Sequence, residues 1–117
     1  MPDRYNLEEL LNKGYVGSTT KTVVIANAET SSAEVDLGWH YKYLLIQIPT
    51  VTSCTLKLQG SLTSGGTFQD IGEGNTTATT TGAYSDTWLL GGWQFIKIVS
   101  SGAQGAERTF YVKGVTF

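Results

Sequence analysis

Charge is scarce in this chain of 117 residues: Asp, Glu, Lys and Arg make up 15%, where an ordinary globular domain has about a quarter. The 8 cationic residues are outnumbered by 10 acidic ones, which argues against nucleic-acid binding through phosphate contacts. Cys54 is the one cysteine, so neither an internal disulfide nor a thiolate zinc cluster can form. No apolar run approaches the roughly 18 residues of a membrane-crossing helix. Met1, Pro2, Asp3 and Arg4 lead into Leu7, Glu8 and Glu9 with no apolar stretch between, so no secretory signal is read and folding in a reducing cytoplasm is expected.

The residues that fill this space are threonine, serine and glycine. Threonine occurs 17 times and serine 9 times, which gives a pleated surface neutral hydroxyls in place of charges. The 14 glycines supply turns, against only 2 prolines. One all-β domain is expected, an antiparallel β-sandwich of about eight strands preceded by a short helical arm.

The arm covers residues 1–20 and the sandwich domain residues 21–117. Asn6 followed by Glu9 has the form of a capping box, Leu7, Leu10 and Leu11 share one helical face, and Gly14 stands where a helix ends. Isolated helices this short are marginal in water, so the leucines must dock on their own domain, a neighbouring subunit or another partner. The residues from Tyr15 to Thr20 read as a linker.

From Lys21 the hydrophobic period changes to two. Strands are predicted over 21–27, 33–37, 43–48, 54–61, 67–71, 86–90, 94–100 and 108–116. Phe95 and Ile96, then Ile98 and Val99, imply that the seventh strand is covered on both faces or carries a bulge. Gly114 reads as a bulge in the last. Ser64-Gly65-Gly66 and Gly91-Gly92 are candidates for tight hairpins. The threonine-rich stretch 72–85 reads as an exposed edge strand flanked by loops, either covered by a partner or protected by its glycines.

Candidate chemistry is thin. His40 is the only histidine, no Gly-x-Ser-x-Gly elbow accompanies it, and it reads as a loop residue. Asp36, Asp70, Asp86 and Glu73 lack the spacing of a calcium loop, and the neighbours Asp70 and Glu73 read as solvated charges rather than a glycosidase pair. No catalytic residue, metal or cofactor is expected. The aromatic residues Trp39, Tyr41, Tyr43, Trp88 and Trp93 leave three readings open: packing at the core and its rim, a protein interface, or a platform for sugar rings.

Taken in order, several segments resemble a family of small tailed-bacteriophage virion proteins. They are Val24-Ile25-Ala26-Asn27-Ala28, Val35-Asp36-Leu37-Gly38, Leu45-Ile46-Gln47-Ile48-Pro49-Thr50, Leu58-Gln59-Gly60-Ser61, Gly66-Thr67-Phe68-Gln69-Asp70-Ile71, Phe95-Ile96-Lys97-Ile98-Val99 and Arg108-Thr109-Phe110-Tyr111-Val112. The resemblance spans about Thr22 to Phe117 and leaves the arm outside. It implies a jelly-roll-like sandwich on the virion, decorating the capsid, with no catalytic residues to carry over. The expected role is therefore a non-enzymatic capsid decoration protein, made in the host cytoplasm and carried on the virion. Its partners would be the major capsid protein or other virion proteins and copies of itself, a trimer by analogy, with no nucleic acid or membrane. Leu7, Leu10 and Leu11 are the expected arm contacts, and Trp39, Tyr41, Trp88 and Trp93 the candidate aromatic interface. A tail, baseplate or head-fibre component and a carbohydrate-binding module are the alternatives.

Overall fold

Burial alternates with a period of two through nearly every strand read from the sequence. Leu44, Ile46 and Ile48 are buried between outward-facing Leu45 and Gln47, and Cys54, Leu56 and Leu58 alternate with Thr55, Lys57 and Gln59 in the same way. The computed structural model describes residues 16–72, 77–79 and 83–116. Its strands are β1 (Val16–Gly17), β2 (Lys21–Ile25), β3 (Val35–Asp36), β4 (Tyr43–Ile48), β5 (Cys54–Ser61), β6 (Gln69–Asp70), β7 (Thr77–Thr79), β8 (Tyr84–Leu89), β9 (Phe95–Ser100) and β10 (Arg108–Thr116). The described residues contain no helix, and the predicted arm helix with Leu7, Leu10 and Leu11 lies outside them.

All pairings are antiparallel and build two sheets. In the front sheet, β10 has β4 on one side and both β1 and β2 on the other, and β8 lies beyond β4. In the back sheet, β5 has β9 on one side and both β6 and β7 on the other, and β3 lies beyond β9. With each collinear pair counted once, each sheet has four strand positions, eight in all. The inner faces meet in one core. Val23, Ile25, Leu44, Ile46, Trp88, Phe110 and Val112 come from the front sheet, and Val35, Leu56, Leu58, Ile96 and Ile98 from the back. Each such side chain contributes about 1.5–3 kcal/mol by leaving water.

Several local expectations are revised. Val16 and Gly17, in the expected linker, pair with Thr116 and Val115. Between Gly17, opposite Val115, and Lys21, opposite Val112, four steps along one strand match three on the other, so the bulge lies on this edge and not in β10. The Ser18 backbone N–H donates to the Gly114 carbonyl, and the Gly114 N–H donates to Ser18 Oγ, so a hydroxyl continues the ladder where the backbone slips. Gly114 has a different use: the Tyr41 ring occupies the space where its β-carbon would stand. The β9 register is regular against β5, which leaves the two-faced reading, with Phe95 and Val99 half-buried outside and Ile96 and Ile98 inside.

The expected tight hairpins also change. Thr63–Gly66 forms a turn closed by the Gly66 N–H on the Thr63 carbonyl, but it sits within a longer connection between β5 and β6. Gly91-Gly92 carries the chain from the front sheet to the back, with φ of 69° and 99°, and its N–H groups reach the carbonyls of Lys42 and Tyr41. In the threonine-rich stretch, β7 is an edge strand on β5, as read.

At one end of the sandwich the loops are tied by a buried glutamine. Gln104 Oε1 accepts from the Thr52 N–H (2.9 Å) and from Arg108 Nε (3.3 Å). Its Nε2 donates to the Gly102 carbonyl (3.1 Å), and its own backbone joins Ala28 and Glu29. Every polar atom of this side chain is engaged, as its burial requires.

Candidate functional site

The four aromatic residues expected to form one interface are not brought to one surface. Trp88 pairs with Leu44 across β8 and β4, faces the core and donates from Nε1 to Asp86 Oδ2 (3.0 Å). Tyr41 is buried over Gly114, and that burial pushes its phenol pKa up. Neither can lay a ring face against a ligand. Trp39 is exposed in the loop before β4 and stacks on His40 with centroids 4.3 Å apart. Trp93, half-buried, closes the end of the core against β5.

A surface that the aromatic residues did not indicate is the outer face of the front sheet. Alternation turns Val24 of β2, Thr109, Tyr111 and Lys113 of β10, Tyr43, Leu45 and Gln47 of β4, and Thr87 and Leu89 of β8 away from the core. Of the six exposed large hydrophobic residues among those described, four lie here: Val24 (37%), Leu45 (37%), Leu89 (55%) and Tyr111 (47%). Lys113 is the one side chain in this set that is charged at neutral pH. Tyr111 stands between two shallow cavities that share Gln47, one of about 390 Å³ reaching Pro49, Ala83 and Ser85, the other of about 270 Å³ reaching Thr20 and Leu45. The sequence signal was available in Leu44-Leu45-Ile46 and Trp88-Leu89-Leu90, since consecutive large apolar residues in a strand place one on each face.

The outer face of the back sheet is different in kind. Asp70 accepts from Gln59 Nε2 and Lys57 Nζ, both at 3.0 Å, and these contacts lower its pKa, the glutamine most. The Lys97 ammonium lies 4.6 Å from the centre of the Phe68 ring. Glu34 accepts from the Gly65 N–H (2.7 Å) and Ser64 Oγ (2.6 Å), which hold its carboxyl below its ordinary value and fasten the 61–68 loop. Asp36, lowered by the Gln94 amide and then by the Gly38 N–H, does the same for the turn after β3. These carboxylates are spent on loop geometry.

At the end of the back sheet lies a cleft of about 390 Å³ with Gly60 as its floor and Trp93 as one wall. Gly60 faces inward, and the indole occupies the place its side chain would take. Gln69 pairs with Gly60 across β5 and β6, so its amide lies on the same face beside the indole. Leu62, 84% exposed, overhangs from the loop, with Ser61, Thr63 and Thr67 completing the lining. Among the described residues, no group of three or more His, Cys, Asp or Glu side chains could hold a metal ion.

No family model matches the chain, and no curated protein matches it by sequence. Solved structures do match in fold. The SPBc2 prophage-derived protein YomS has a TM-score of 0.52 at 16% identity, covering 86% of this chain and 96% of that one. A family 29 carbohydrate-binding module from Piromyces equi has a TM-score of 0.52 at 15% identity, covering 91% of this chain and 83% of that one. The chain is an antiparallel β-sandwich whose fold is similar to those of a prophage-derived protein and a carbohydrate-binding module.

Proposed function

We propose that the chain is a structural protein of a tailed-bacteriophage virion, a jelly-roll sandwich that docks on the capsid surface and performs no chemistry. The carrying observation is the outer face of the front sheet, where Val24, Leu45 and Tyr111 are exposed together on a regular sheet with little charge. Apolar side chains gathered on one face are characteristic of a docking surface, and sparse charge lowers the cost of drying it. The strand order, with β10 and β5 central in sheets that face each other, fits the jelly-roll reading. The shared fold with a prophage-derived protein and the sequence resemblance to small virion proteins support the same assignment.

The physical task is stabilisation by mass action. A protein that binds only the assembled shell shifts the equilibrium towards that shell, and one that bridges two subunits adds to this through effective concentration. The major capsid protein is the proposed partner, with the virion surface as the location and a homo-oligomer, such as a trimer, as the bound form. Leu7, Leu10 and Leu11, outside the described residues, are proposed as a second contact.

The test is co-sedimentation with tailed-phage capsids assembled without the protein. Saturable, stoichiometric uptake that is lost on Leu45→Asp is the expected result. Uptake by tails or baseplates in place of capsids would move the protein to those assemblies, and the capsid assignment would fall.

A further inference from the structure

We infer that the cleft beside Trp93 is a binding site for a neutral saccharide, formed by the indole, the Gln69 amide, the Thr67 hydroxyl and the overhanging Leu62. A sugar ring offers an apolar face of C–H bonds and a rim of hydroxyls. A site for it therefore needs a fixed apolar surface beside uncommitted neutral donors and acceptors.

The cleft supplies each part. The indole is fixed from behind, because Gly60 lets it approach so closely that a β-carbon there would lie 2.8 Å from Trp93 Cδ2. Among the described residues, the side chains of Thr67 and Gln69 make no hydrogen bond, so both are available to a ligand. The Ser61 hydroxyl is occupied by the Thr63 backbone: Ser61 Oγ donates to the Thr63 carbonyl (2.8 Å) and accepts from the Thr63 N–H (3.3 Å), which shapes the loop. Glu34 fastens the same loop from outside through Ser64 and Gly65, so the rim is pre-arranged and little ordering is needed on binding. Among the described residues, no ionisable side chain lines the cleft, which favours an uncharged ligand over a phosphate, a carboxylate or an amine. Its volume of about 390 Å³ lies within the roughly 300–1,000 Å³ of small-ligand sites.

The site stands apart from the outer face of the front sheet, and it holds or fails independently of capsid docking. Its lining comes from β5, β6, the loop between them and the crossover before β9.

The experiment titrates full-length protein carrying Trp39→Phe, which leaves Trp93 and buried Trp88 as emitters, with cellohexaose, mannohexaose and chitotriose. A saturable emission change with at least one of the three is expected, together with amide resonance shifts confined to Gly60, Leu62, Gln69 and their neighbours. Gln69→Ala and Thr67→Ala, both at exposed positions, should each weaken binding roughly fivefold to tenfold, as loss of one hydrogen bond implies, with the thermal midpoint unchanged. Silence with all three sugars overturns the assignment. Binding that both variants leave intact, or resonance shifts elsewhere on the molecule, overturns it equally.

Discussion

Trp93 lies against the backbone of Gly60, with no room for a β-carbon between them. The contact closes one end of the core, and it makes a specific claim about position 60. Gly60→Ala should force the indole outward, at about 1–3 kcal/mol, the cost of overpacking a filled site. Urea unfolding should show a lowered midpoint and native-state emission a shift to the red. An unchanged midpoint and spectrum would mean that the indole is not held there.

Gln104 makes a parallel claim for the other end. Replacing it with leucine keeps the bulk but leaves the Thr52 N–H without its acceptor and removes a partner of Arg108. The expected loss is about 1–3 kcal/mol, read as a lowered thermal midpoint. Gln104→Glu keeps both accepted bonds but turns an acceptor oxygen towards the Gly102 carbonyl, so it too should lower the midpoint.

Acid should weaken the fold in a defined window. Glu34, Asp36 and Asp70 all have folded-state pKa values below their ordinary 4.5, 3.8 and 3.8. An unfolded chain therefore binds their protons first as pH falls, so their contribution is complete above those values and is lost as pH drops through the lower folded ones. Urea midpoints should show no change arising from these groups between pH 7 and pH 5.5, where their contribution is complete, and should decline below about pH 4.5. Glu34→Gln should remove part of that decline. The phenol of Tyr41 works in the opposite sense, since its raised pKa makes stability fall as pH rises above 10.

Much of the sandwich was legible in the sequence. The alternation of Cys54, Leu56 and Leu58 with Thr55, Lys57 and Gln59 marked that strand and its buried face, because a half-buried strand must place every second side chain in the core. The edge strand β7 was legible in a threonine run without a core pattern. What failed depends on contacts between distant residues. Gly114 reads as a bulge from its place in a strand, whereas the reason for glycine there is the ring of Tyr41, far away in the chain. The pairing of Val16 and Gly17 with β10 leaves no local signal, since two residues show no period. The aromatic residues misled for a related reason: Trp88 faces inward because it pairs with Leu44, and that register is set between strands rather than within one.

Leu45→Asp separates docking from folding. Leu45 is 37% exposed on the outer face, so a carboxylate there remains solvated and costs about 1 kcal/mol, chiefly lost strand propensity and apolar contact. Thermal melts should stay cooperative, with a midpoint only a few degrees below that of the parent. A large loss of stability would mean that Leu45 belongs to the core and that the outer face is not a free docking surface.

The most direct measurement of the central claim is light scattering of the purified protein, alone and then mixed with tailed-phage capsids that lack it, for the parent and for Leu45→Asp. Stoichiometric uptake of the parent, and its loss in a variant that folds normally, is the result expected of a protein that docks through the front sheet. Equal uptake of both proteins, or a parent that ignores the capsids, would contradict it.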